Sequence, residues 1–118
     1  MTTDELKFRS KRFSLMIIDL IEKLPNTIAC RAVANQIVRS GTSVGANYRA
    51  ACRARSDREF IAKLTIVAEE ADETLFWLEI VMDKQCLNKA EVEPIWIEGN
   101  ELTAIFVSSL KTVKARNG

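Results

Sequence analysis

Residues Thr27–Ser56 read TIACRAVANQIVRSGTSVGANYRAACRARS. On a 3.6-residue helix, Cys30, Val33, Ala34, Ile37, Val44, Tyr48, Ala51 and Cys52 fall on one stripe. The stripe keeps its phase across Ser40-Gly41-Thr42-Ser43. Either one long helix with a weak point at Gly41 or two collinear helices satisfy that pattern, since Gly and Ser lower helix propensity and invite a kink. The charge of the window is equally one-sided. Arg31, Arg39, Arg49, Arg53 and Arg55 are its charged residues, with no Asp, Glu or Lys.

The flanks show the same period. Upstream, Thr2 with Glu5 three residues on forms a capping-box pattern, and the chain stops at Pro25-Asn26 after Leu24. Phe13, Met16, Ile17, Leu20, Ile21 and Leu24 give this first segment one apolar face. Downstream, Ser56 and Glu59 form a second capping box. The segment it opens runs to about Cys86 on a seam of Phe60, Leu64, Val67, Ala71, Leu75, Leu78 and Met82. The last segment runs from near Asn88 to about Ala115, with Val92, Ile95, Trp96, Leu102, Phe106, Leu110 and Val113 on its core face. Gly99 falls on that face, where a neighbouring backbone could approach, and Arg116-Asn117-Gly118 reads as a frayed end. No alternating strand pattern competes. The expected fold is all-α, an antiparallel up-down-up-down four-helix bundle, in one domain spanning 1–118.

Bulk composition agrees. A chain of 118 residues with 47% hydrophobic and 28% charged side chains can bury one core without disulfides or metal. Four Gly and two Pro are too few for a turn-rich β fold. Cys30, Cys52 and Cys86 make an odd count with no CxxC spacing, which reads as free thiols in a reducing compartment. The polar, acidic start is no secretory signal, and no run approaches a membrane span. Cytoplasmic placement is expected.

The absence of histidine removes Ser-His-Asp and Cys-His nucleophiles, His-containing zinc sites and the Arg…His motif of helical nucleases. The Gly/Ser stretch at 40–45 lacks a P-loop lysine and follows a helix rather than a strand. Glu69, Glu70 and Glu73 share a helix, but a di-metal bundle needs Glu-x-x-His as well. We expect no enzyme, metal or cofactor.

Two features point to partners instead. Arg31, Arg39, Arg49 and Arg53 project within about 80° of one another, opposite the apolar stripe. With Arg58 they form a candidate nucleic-acid surface, because guanidinium forks grip phosphate oxygens. Lys7, Arg9, Lys11 and Arg12 could extend it. The competing reading pairs these arginines with Glu69, Glu70, Asp72 and Glu73 of the next helix. Secondly, Leu15, Ile18, Ile66, Phe76, Trp77 and Ile80 lie off the core seams and are candidates for an interface between copies, as are Ile97 and Ile105.

The stretch Gln36–Arg49, followed by Ser56-Asp57-Arg58-Glu59-Phe60, Lys63-Leu64, Glu70-Ala71 and Glu73–Leu78, resembles the 23S ribosomal RNA intervening-sequence proteins, a family of four-helix bundles. Members often carry an acid after the arginine matching Arg49, where this chain has Ala50. The resemblance implies a bacterial cytoplasmic bundle that assembles into a ring, a pentamer. It also implies distant similarity to the accessory proteins of diversity-generating retroelements, which bind nucleic acid and a reverse transcriptase. The expected function is a non-enzymatic homo-oligomer that binds structured RNA or DNA. The alternative is a protein–protein scaffold whose arginines are structural ion pairs.

Overall fold

The computed structural model describes residues 1–117. Among them are four helices and no strand: α1 (Thr3–Ile21), α2 (Ile28–Ala51), α3 (Asp57–Asp83) and α4 (Lys89–Asn117). Short connections make successive helices antiparallel, so the bundle is a rod with extents of 47 × 22 × 20 Å. Side chains cap three of the helices. The hydroxyls of Thr2, Thr27 and Ser56 accept from the amides of Glu5, Cys30 and Glu59.

α1 ends three residues before Leu24, and a tighter turn carries the chain on, with the Lys23 and Leu24 amides reaching the Leu20 and Ile21 carbonyls. α2 ends at Ala51 rather than near Arg55, again in turns closed by the Arg53 and Ala54 amides. At the far terminus the expected fraying is corrected for Arg116 and Asn117, while Gly118 lies outside the described residues. α4 continues through Arg116 and Asn117, because Asp57 on α3 takes hydrogen bonds from both side chains.

α2 is one helix, unbroken at Gly41. Its Ser40, Thr42 and Ser43 hydroxyls donate back to the carbonyls of Gln36, Val38 and Arg39 one turn earlier, so they add bonds without leaving the helix. Gly41 is small for another reason: a Cβ there would stand 2.8 Å from the Ile17 side chain. At Gly45 a Cβ would meet Ser14 Oγ at 2.8 Å, the Ser10 carbonyl at 3.2 Å and Lys11 Cα at 3.3 Å. Ser10 and Ser14 on α1 therefore face Gly41 and Gly45 on α2. Ser14 Oγ donates to the Gly41 carbonyl across the seam at 2.8 Å.

Gly45→Ala tests this close approach. Helix propensity alone favours Ala by about 1 kcal/mol. Overpacking against unyielding neighbours costs about 1–3 kcal/mol. Two of the three obstructing atoms belong to the α1 backbone, so a net loss of about 1 kcal/mol is expected. A urea midpoint that stays put or rises would show that the helices can part.

The core is filled by Phe13, Ile17, Ile37, Val44, Leu64, Leu78, Leu102 and Phe106, all fully buried. The α2 and α3 helices also share a buried polar contact, Thr74 Oγ1 to Ser40 Oγ at 2.8 Å. Sequential helices pack along their lengths, whereas α1 and α4 touch sparingly. That seam is closed by Phe13, whose ring edge lies 3.1 Å from where a Gly99 Cβ would be, and by an ion pair. Gly99 thus admits the side chains of Phe13 and Leu75 rather than a neighbouring backbone. In the ion pair, Arg9 grips Glu98 through two 2.7 Å hydrogen bonds and reaches Glu101 at 2.8 Å.

The α3–α4 turn is a Schellman motif. The Cys86 amide bonds the Val81 carbonyl and the Gln85 amide bonds the Met82 carbonyl. Gln85 occupies the left-handed position, with φ 56°, where glycine is usual.

Candidate nucleic-acid interface

The small residues of the α1–α2 seam leave a groove on its outer side, of about 540 Å³. Lys7, Phe8 and Lys11 form one wall; Thr42, Ala46, Arg49 and Arg53 form the other; Gly45 and Ser14 make the floor. Lys7 and Lys11 are one turn apart on α1, and Arg49 in the last turn of α2 is followed by Arg53 in the turn that continues it, so each side of the groove presents two cations. Asp4 is the carboxylate at this groove, and it reaches Lys7 only at 3.9 Å with 93% of its side chain exposed. Such a contact leaves most of the positive charge uncompensated. Phe8 is 68% exposed at the rim, an apolar ring beside the cations.

The five arginines expected at the site are all exposed, but they are not one cluster. Arg49 and Arg53 line the groove. Arg58 stands in the first turn of α3, at the same end of the rod because a short turn joins α2 to α3. Arg31 stands in the first turn of α2, 22 residues before Arg53, which lies in the turn just after Ala51; helical rise over that span puts the two about 33 Å apart along the axis. Arg39 turns toward α3, pairing with Glu70 at 3.2 Å and with Glu73. Glu73 also accepts from Trp77 Nε1 at 3.2 Å. The competing reading of the arginines as structural ion pairs therefore describes Arg39. Among the described residues, Arg31, Arg49, Arg53 and Arg58 have no carboxylate within ion-pair distance. Of the α1 cations, Arg9 is engaged by Glu98, which holds the Glu98 carboxyl below its ordinary range. Lys7 and Lys11 carry the surface onward.

Six of the off-seam apolar residues divide between α1 and α3, two helices that do not touch. Leu15 (52% exposed) and the half-buried Ile18 are on α1. Ile66 and Phe76 are exposed on α3, where Trp77 and Ile80 are half-buried. Phe76 and Trp77 meet edge to face at 5.0 Å. Because α1 and α3 are diagonal in the bundle, these are two patches on opposite sides rather than one. Ile97 is exposed on α4 and Ile105 half-buried.

Phe8, Thr42 and the floor of the groove escaped the reading of the sequence. The available signal was the pairing of Ser10/Ser14 with Gly41/Gly45, two small pairs at one-turn spacing that predict a close helix crossing and hence a cleft beside it.

A family model described as 23S rRNA-intervening sequence protein matches residues 5–108. A crystal structure of a protein of unknown function from the S23 ribosomal protein family of Bacteroides thetaiotaomicron superimposes with a TM-score of 0.84. It is 36% identical, over 90% of this chain and 98% of that one. No curated protein matches the chain.

Proposed function

This chain belongs to the 23S rRNA-intervening sequence protein family, and on that footing we propose that it is a non-enzymatic, homo-oligomeric bundle that binds the phosphates of structured RNA or DNA. The observation that carries this reading is the groove between α1 and α2. There Lys7, Lys11, Arg49 and Arg53 converge, with Asp4 alone in opposition. Guanidinium and ammonium groups around an open cleft suit a phosphate backbone and carry no base code, so binding is sequence-tolerant. Arg58 extends the surface at the same end. Arg31, about 33 Å away, is within reach of a duplex one helical turn long, about 34 Å.

The assembly we propose is a ring. Two apolar patches on diagonal helices suit a head-to-tail contact, α1 of one copy against α3 of the next, which closes into a ring when the rotation permits. Five subunits is the number the family resemblance suggests. A ring repeats the groove and multiplies a modest affinity. A reverse-transcriptase-like protein is a further partner on the same grounds, and cytoplasmic residence completes the proposal. Among the described residues, no helix is long and apolar enough to cross a membrane.

A second reading, a protein–protein scaffold, is favoured by one observation: Arg39 is tied into the α2–α3 seam by Glu70 and Glu73 beside the Phe76–Trp77 pair. Binding of labelled structured RNA and of duplex DNA at ~50 and ~200 mM salt separates the two. The phosphate reading expects tight binding at the lower salt and a loss of roughly 10-fold or more at the higher. No binding at ~50 mM would overturn it in favour of the scaffold.

A further inference from the structure

Cys30 and Cys86 are separated by 55 residues of chain, yet their sulfurs stand 3.0 Å apart. Two elements bring them together. Thr27 caps α2 and places Cys30 in its first turn, where the Cys30 amide donates to Thr27 Oγ1. The Schellman turn after α3, with Gln85 in the left-handed conformation, fixes the backbone of Cys86. Neither cysteine is bonded to another group, and the third thiol, Cys52, sits at the other end of α2, 22 residues or about 33 Å from Cys30.

We propose that Cys30 and Cys86 are a peroxide-responsive thiol pair that closes into a reversible disulfide, joining the first turn of α2 to the α3–α4 turn. Cys30 is the attacking sulfur. It lies at a helix N-terminus, where the partial positive charge favours a thiolate. The Cys86 thiol, and after it the Thr27 hydroxyl, hold its pKa below the ordinary thiol value. The Cys30 thiolate attacks one oxygen of hydrogen peroxide, the O–O bond breaks, and the sulfur becomes a sulfenic acid as hydroxide leaves and takes up a proton. Cys86 then attacks the Cys30 sulfur, the S–S bond forms, the S–OH bond breaks, and water leaves with the Cys86 proton. Two thiols and one hydrogen peroxide give one disulfide and two waters. A cellular dithiol reverses the step. Such transient, sensing disulfides are the kind found in reducing compartments. The crosslink ties two connections at the end of the rod opposite Arg53 and Arg58, so it acts on the bundle without covering the groove.

The test treats the reduced full-length chain with hydrogen peroxide and counts free thiols. Three thiols should fall to one, with a Cys30–Cys86 linked peptide by mass spectrometry, and dithiothreitol should restore all three. The closed form should melt about 5–10 °C higher, because the bridge shortens the unfolded ensemble. In Cys86→Ser, dimedone should capture a sulfenic acid on Cys30. Three thiols persisting after treatment, or Cys52-linked dimers in place of the internal crosslink, would overturn the proposal.

Discussion

Arg49→Glu combined with Arg53→Glu is expected to lower affinity for structured RNA about 100-fold or more at ~50 mM salt, with helicity unchanged. Both side chains line the α1–α2 groove, are exposed, and have no acidic partner whose loss would disturb the bundle. Removing two phosphate contacts should also shrink the slope of log affinity against log salt by about 2. The two new carboxylates then repel the backbone outright. Arg39→Glu is the informative contrast. It strands Glu70 and Glu73, so its effect should appear in the melting temperature and not first in binding. Retained RNA affinity in the double variant would remove the groove from consideration. A fall in melting temperature or a split oligomer in that variant would mean that Arg49 and Arg53 serve the scaffold instead.

Arg9→Ala should be among the most damaging surface-adjacent substitutions, at about 2 kcal/mol. Arg9 and Glu98 are each largely covered, at 17% and 13% exposed, and the two parallel hydrogen bonds between them are the main polar closure of the sparse α1–α4 seam. Truncating Arg9 leaves the Glu98 carboxylate partly buried without its partner. Their pairing also sets a pH dependence. The hydrogen bond from Arg9 holds the Glu98 carboxyl below its ordinary value, so the folded state takes up this proton less readily than the unfolded chain. The contribution is full above the unfolded carboxylate range, about pH 4.3. It is lost as pH falls through the depressed folded value. Chemical denaturation of the wild type and Arg9→Ala across acid pH checks both points. The stability gap should be widest near neutrality and narrow in acid. A gap that stays constant would show that Arg9 acts through its aliphatic stem alone.

The four helices were legible because each carries a long apolar stripe and three of them a capping start signal. Thr2, Thr27 and Ser56 each precede a helix by one residue, and the capping hydroxyl is a local property of the sequence. Helix ends were less legible. α1 stops three residues before Leu24 and α2 four residues before Arg55, because the last turn tightens to meet the next connection. Asn117 went the other way, held in the helix by Asp57, a residue 60 positions earlier that no local pattern reveals. At Gly41 propensity pointed to a kink and tertiary packing decided against it: the missing Cβ makes room for Ile17. The site divides along the same line. Exposure of Arg31, Arg49, Arg53 and Arg58 follows from their position opposite the stripe, and so could be read from spacing. The engagement of Arg39 by Glu70 and Glu73, and of Arg9 by Glu98, depends on how neighbouring helices rotate about their axes, which periodicity leaves open.

The uneven seams of the bundle also bear on how it forms. α1 with α2, α2 with α3 and α3 with α4 pack extensively, and each pair is joined by a short turn. Nearly all of the stabilising surface is therefore made between chain neighbours, so contact order is low and little loop-closure entropy stands in the way. Helical hairpins of this kind assemble on the microsecond-to-millisecond scale. The α1–α4 seam, which joins the two ends of the chain, gains least and demands the longest closure, so it comes together last. On a ribosome the first three helices can dock as they emerge, and α4 need only be added to a partly built rod. The same seam would be the first to breathe in the finished protein, and slow amide exchange should concentrate in α2 and α3.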